Sequence, residues 1–391
     1  MAEVLVFVLI GEKSIEGSAI ARYTLLTAAG CAAIAPTTLL CLDFEPPAIR
    51  EVECILGELH PSSIEVRFLS AEGARAWALA HPGYRYISHD FPNTLRTLRS
   101  LPFPADQVDL FVSAVAPPWI NTFRVRTELK SEQPWINHDA ASRLSANSVQ
   151  TVIARVRSFG YRRSLRVARA VIALSTCEAT FLSEVLGVTN TFTALPAVDP
   201  RFRYQSPKGN HAVAIVPKML NRFVARQIER ISLAAGCESL HLLGESSVAV
   251  TRLFKDIRAQ AFGFVSQHDF VADVSSARIA LTTDPRGAFE MAPIEVLRSG
   301  TPLAGPLVPS LVELLMKLDG STIHGMPFWP IATSRFEAPV DLRNFPSWLD
   351  TAERRSGTLS DLVASIFSLH NAGAQILRGI RSFSATPNLQ T

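Results

Sequence analysis

The chain has 391 residues, too many for one ordinary core, so its length points to two domains. Hydrophobic residues make up 48% and charged residues 19%, which excludes extensive disorder. With 38 Lys and Arg against 35 Asp and Glu the net charge is only +3, so nucleic acid has no general case and any electrostatic partner must be argued from a local patch.

In chain order, residues 4–10 come first, an apolar run ended by Gly11. The run is too short for a spanning helix and lacks the basic leader of a signal peptide, so it reads as a buried strand. A turn at Gly11 and a helix through about Ala29 follow. "TTLLCLDF", "IEVRFLS" and "VDLFVSAVA" are further strands. "QPWINHD" brings a short strand to an end at His138-Asp139, and "ARAVIALST" forms another, with a helix from near Cys177. The segment "AVDPRFRYQSPKGN" clusters Pro200, Pro207 and Gly209 with polar residues, as a hinge or linker does.

The second half restarts the pattern. "HAVAIVPK" is a strand ending at Lys218, and "ESLHLLGES" one ending at Gly244. "QAFGFVS" is a shorter strand, "DFVADVSSA" a helix and "RIALTTD" a strand. Strands alternating with helices indicate βαβ units. The expected fold is α/β, two Rossmann-like doubly wound parallel-sheet domains spanning 1–203 and 204–369. Residues 370–391 form a C-terminal helix or tail packing back on the first. Ligands in such sheets sit beyond the carboxyl ends of the strands. The five cysteines, Cys31, Cys41, Cys54, Cys177 and Cys237, are odd in number and contain no Cys-x-x-Cys pair, which suggests reduced, mostly buried thiols in an intracellular protein.

Chemistry concentrates in "TTDPRGAFEMAPIEVLRSGTPLAG". Pro293 suits the first turn of a helix, where its missing N–H is no loss. The amides around Met291, Ala292 and Pro293 then form an anion site suited to a diphosphate. Glu295 follows about one turn in, where a carboxylate is electrostatically comfortable and can accept hydrogen bonds from a ribose diol. The plainer alternative is a helix acid facing solvent.

"GAFEMAPIEVLRSGTPLAGPLVPSLVELL" resembles the nucleotide-sugar segment of retaining glycosyltransferases of the GT-B fold, the large group that includes sucrose synthase-like enzymes. Glu295 matches the second Glu of that pattern, Phe289 its Phe, and Gly300-Thr301-Pro302 its exit. The first Glu position holds Gly287, and the usual Gly is Glu290. The resemblance implies that Glu295 binds the ribose. The sugar contact falls to Glu290 or Asp284 only as substitutes. "ARAVIALSTCEATFLSEVLGV" with "ALPAVDPRFRY" is similar to the end of the family's first domain, and "HDFVADVSSARIALTTD" to the approach to its donor site.

By the same resemblance Lys218 and Arg222 neutralise the leaving diphosphate, where charge builds as the glycosidic bond breaks. His138 lies close to the transferred sugar, and Gly244 joins the nucleotide-binding set. The implied activity is retaining transfer of a sugar from a nucleoside-diphosphate donor to an acceptor hydroxyl, glycan or lipid-linked, with neither cofactor nor catalytic metal. Two alternatives stand beside it. A non-catalytic nucleotide-sugar-binding partner subunit is motivated by Gly287, and a sugar-nucleotide epimerase of related fold would need further acid/base carboxylates. Arg155, Arg157, Arg162, Arg163, Arg166 and Arg169 crowd one short span. They read as a solvated face or as a patch for anionic lipid at the inner membrane surface, with nucleic acid a lesser option. The expected location is cytoplasmic.

Overall fold

The computed structural model describes residues 4–11, 15, 19–59, 63–90, 103, 108–112, 165, 168–180, 182–183, 187–206, 208–216, 220, 222–244, 248–283, 291–306, 308–317, 327–331 and 341–384. They divide into two compact units. Unit 1 takes the described residues up to 112, from 165 to 197 and from 367 to 384; unit 2 takes those from 198 to 366.

Unit 1 begins with β1 (Leu5–Ile10), α1 (Ala19–Ala32), β2 (Thr37–Leu42), α2 (Pro46–Leu59), β3 (Ile64–Leu69), α3 (Ala71–Ala80), β4 (Arg85–Asp90) and β5 (Val108–Val112). It continues with β6 (Val171–Ala173), α4 (Thr176–Thr180) and β7 (Thr191–Thr193). The strands pair in parallel in the order β3-β2-β1-β4-β5-β6-β7. β2 is buried throughout and β1 at all but Ile10, which is why β1, and β2 after Thr37 and Thr38, read as apolar runs. β3, at the sheet edge, mixes half-buried and exposed positions. The strand expected through Thr176 ends at Ala173, and α4 takes over at Thr176.

β4 escapes a reading by hydrophobic pattern, because "RYISHD" carries four polar or charged residues in six. Its Arg85 is 2% exposed and its guanidinium makes a two-pronged contact with Asp109 of β5, Nε to Oδ2 and Nη2 to Oδ1, both 2.8 Å. Burial pushes the Asp109 carboxyl up, and the hydrogen bonds and charge of Arg85 oppose that shift. The pairing makes a charged strand tolerable inside the sheet.

Unit 2 contains β8 (His211–Ile215), α5 (Arg222–Ala234), β9 (Ser239–Leu243), α6 (Val248–Thr251), β10 (Arg258–Gly263), α7 (Gln267–Ser276) and β11 (Ile279–Thr282). α8 (Met291–Arg298), β12 (Leu303–Gly305), α9 (Pro309–Lys317), β13 (Phe328–Pro330) and α10 (Phe345–Ile366) complete it. The sheet is again parallel, ordered β10-β9-β8-β11-β12-β13. Ile228 and Ile231 of α5 pack with Leu240, Leu242, Ile279 and Leu281 of the sheet, all at 0% exposure. Each such side chain contributes about 1.5–3 kcal/mol by leaving water.

Residues 198–210 are built into unit 2. Phe202 is fully buried edge-on to Phe270, and Lys208 Nζ donates to Ser275 O, Ser299 O and Thr301 Oγ1 at 2.7, 3.1 and 3.0 Å. The chain returns to unit 1 in α11 (Leu369–Ser384), which packs on α1. Gly30 and Gly373 meet there so closely that a Cβ on Gly30 would lie 2.1 Å from Leu369 O, and one on Gly373 would lie 2.4 Å from Gly30 O. Arg85 Nη1 donates to Ile380 O at 3.1 Å, and Leu195 N to Gln375 Oε1 at 2.7 Å. Among the described residues no helix is long and apolar enough to cross a membrane.

Candidate nucleotide site in the second unit

In the sheet of unit 2 the strand order reverses between β8 and β11. In doubly wound sheets such a reversal is the place where ligands bind, beyond the carboxyl ends of the two strands. In sheets of this order the segments that follow two such strands line a crevice.

The strand exits are held tightly. Thr283 Oγ1 donates to Ile215 O at 3.4 Å, joining the ends of β11 and β8. Val216 N donates to Leu243 O at 2.8 Å, and Gly244 N to Gly263 O at 2.7 Å. Gly244 has φ +90°, and a Cβ there would stand 2.6 Å from Val216 O. Only glycine lets the exits of β9 and β8 approach so closely.

α8 starts at Met291, so Pro293 lies in its first turn, buried, with Met291 and Ala292 half-buried beside it. Glu295 follows one turn later and is 3% exposed. That burial overturns the reading of a helix acid facing solvent. Withdrawing a carboxylate from water costs several kcal/mol, so its position is set by its surroundings and not by a helix surface.

The Gly-Thr-Pro exit has a structural explanation. Gly300, at φ +69°, donates its N–H to Leu297 O at 3.1 Å, and Thr301 N donates to Val296 O at 3.2 Å. This is the double hydrogen bond of a Schellman ending, which needs a left-handed residue at the first position past the helix. Thr301 Oγ1 then donates to Val274 O at 2.8 Å and accepts from Lys208 Nζ, whose pKa burial lowers to about 8. Pro302 O accepts from Ala280 N at 2.9 Å and leads into β12. Behind the helix, Arg298 Nη1 donates to Ser360 Oγ of α10 at 2.9 Å, and Ser360 Oγ returns a hydrogen bond to Arg298 O. α8 is thus fixed at its carboxyl end and along its side.

Arg222 is the first residue of α5 and is exposed, as is Arg226 one turn on. That helix is the first to follow β8 in sequence. Lys218, Asp284, Gly287, Phe289, Glu290 and His138 lie outside the described residues, as do Arg155, Arg157, Arg162, Arg163 and Arg166; Arg169 is described and exposed. The sequence nevertheless assigns Lys218 to the segment after β8, and Asp284, Phe289 and Glu290 to the one joining β11 to α8.

Two groups missed by sequence reasoning lie near the same end of the sheet. Thr282, the last residue of β11, and Ser310, in the first turn of α9, are 6% and 0% exposed, and their hydroxyls have no hydrogen-bond partner among the described residues. Buried hydroxyls left open are groups that a ligand or water satisfies. The available signal was the place of Thr282 at the end of an apolar strand.

A separate polar cluster lies toward the opposite end of β8. His211 Nε2 and His241 Nδ1 lie 3.1 and 2.8 Å from Asp273 Oδ1, and the two imidazoles stack at 4.5 Å. Burial alone would raise the Asp273 pKa, but hydrogen bonds from His211 and His241 hold it down to about 2.

No family model matches the sequence, and no curated protein matches it. Solved structures do. Sucrose-phosphate synthase from Thermosynechococcus elongatus superposes with a TM-score of 0.60 at 14% identity, covering 98% of this chain and 100% of that one. A glycosyltransferase from Rickettsia africae gives 0.58 at 12% identity over 99% and 100%. TarM of S. aureus, solved with UDP, gives 0.54 at 8% over 98% and 100%. Two Rossmann-like units matched along nearly the whole of these chains give this protein the GT-B fold of glycosyltransferases.

Proposed function

We propose that the protein is a glycosyltransferase that moves a sugar from a nucleoside-diphosphate donor to an acceptor hydroxyl, with retention of anomeric configuration. The observation that carries the proposal is the switch point of unit 2 between β8 and β11, with α8 the helix that follows β11 and Glu295 buried within it. The fold matches add weight, since TarM was solved with UDP and another match, at TM-score 0.51, with UDP-glucose.

In this reading the first amides of α8 hold a diphosphate. Glu295, one turn further, accepts hydrogen bonds from the ribose. Lys218 and Arg222 balance the charge that develops on the leaving phosphate. Gly244 lets the backbone approach the nucleotide closely. Glu290 or Asp284 contacts the sugar in place of an acid at Gly287, and His138 lies on the acceptor side of the transferred sugar. The acceptor is a glycan or a lipid-linked saccharide in glycan, glycolipid or polysaccharide synthesis, and transfer needs no catalytic metal. The arginines from 155 to 169 contact an anionic membrane surface from the cytoplasmic side.

The test is calorimetric titration with UDP and GDP, followed by hydrolysis or transfer assays with a panel of nucleotide sugars. Binding of one nucleotide, weakened about 10- to 100-fold in Glu295→Ala, is the expected result, as befits two lost hydrogen bonds to a charged group. No binding of any nucleotide refutes the proposal. Binding without turnover for any acceptor favours the partner-subunit reading, which Gly287 motivates.

A further inference from the structure

The amino-terminal part of the second sheet carries a constellation that nucleotide transfer does not use. His211 opens β8, His241 is the middle residue of β9, and Asp273 lies on α7. In the parallel register His211 faces Ser239 and Val213 faces His241, so the two histidines are diagonal neighbours on one face of the sheet. α7 lays Asp273 against that face. One donor atom from each residue, a ring nitrogen of His211, a ring nitrogen of His241 and an Asp273 carboxylate oxygen, lie within 4.8 Å of one another.

We propose that His211, His241 and Asp273 form a divalent transition-metal site, taking zinc or a cation of similar preference. Two imidazole nitrogens and one carboxylate oxygen are the donor set such ions favour. Around a tetrahedral ion with bonds of about 2.0–2.2 Å, neighbouring donors stand roughly 3.3 Å apart. The measured 3.1 and 2.8 Å to Asp273 Oδ1 are within a few tenths of that separation. Small side-chain rotations open the space, and each residue is 15–24% exposed, so water completes the coordination. Asp273 O also lies 3.4 Å from His211 Nε2. The ring of Phe262, 4.9 Å from that of His241, shelters one side.

The alternative is that the two imidazoles simply donate N–H bonds to the carboxylate. The two cases differ in what the same nitrogens do, since a nitrogen that donates a proton to Asp273 cannot hold a metal. β8 rises about 3.3 Å per residue, so His211 sits roughly 13 Å from Ile215 and the switch-point crevice. A metal here ties α7 to two strands and does not touch the donor site.

Reduced protein stripped with chelator and dialysed is titrated with Zn2+, with Co2+ absorption reporting the geometry. One equivalent per chain is expected, together with the intense visible bands of tetrahedral Co2+ and a higher Tm. His211→Gln and His241→Gln should each abolish the bands and the Tm rise, while His81→Gln, a control on α3's exit stacked on Trp77, should keep both. Circular dichroism shows whether each variant folds. Absence of stoichiometric binding in the parent protein overturns the proposal. So does binding that survives in a folded His211→Gln/His241→Gln double variant.

Discussion

Arg85 shows how a single residue is made to serve the interior. Its guanidinium satisfies Asp109 with two hydrogen bonds and reaches Ile380 O with a third, so three distant parts of the chain depend on one side chain. Arg85→Ala leaves a buried carboxylate unpaired and should cost about 3–5 kcal/mol in a urea melt. The paired change Arg85→Met/Asp109→Leu should cost much less, because it removes both charges together. Equal losses in the two proteins would show that packing, not charge pairing, sets the cost. The same pair explains why β4 was illegible in sequence, since "RYISHD" becomes a strand only with an acid 24 residues downstream. Glu295 was legible in place, because Pro293 and Gly300 bracket its helix. Its burial was not, because that depends on the elements packed around α8.

At the scale of elements, α8 depends on its ending. Gly300→Ala puts a methyl group at φ +69° and 2.3 Å from the Tyr204 ring. Strain and overpacking together should cost about 2–4 kcal/mol and shift the start of α8, weakening nucleotide binding as well. Tyr204→Ala removes the ring but not the strain, so the double variant should recover part of the loss. Additive losses would mean that the ring is no obstacle. β12 and β13 passed unnoticed in sequence because "LAG" and "FWP" have three residues each, too few to show a period. The His211, His241 and Asp273 set is hidden for a different reason. Its members lie 30 and 32 residues apart; the parallel register joins the two histidines and the packing of α7 brings in Asp273. β1, β2, β8 and β11 were readable because burial on both faces demands continuous apolar runs.

Across the whole molecule, the two sheets repeat one order, with unit 1 adding a seventh strand. The alternation of strands and helices made this architecture readable without knowing where any side chain points. Unit 1 is discontinuous, since its last helix follows all of unit 2 in sequence. Ending the chain after residue 366 removes α11 from its seat on α1. It should lower the stability of unit 1 by several kcal/mol, given the buried Ile376, Leu377 and Ile380. Hydrogen exchange should then rise in β1, β4 and α1 while β8, β9 and β11 keep their protection. Equal loosening of both units would show that they do not unfold separately.

The placement of α11 also sets a timetable. During synthesis the strands of unit 1 emerge first, but α11 follows all of unit 2 in sequence, so unit 1 waits for its last helix for as long as unit 2 is being made. For that interval the groove beside Gly30 lies open, and the apolar face meant for α11 is in water. The nascent protein therefore carries an unfinished first unit throughout the making of the second, when a chaperone has the most to cover.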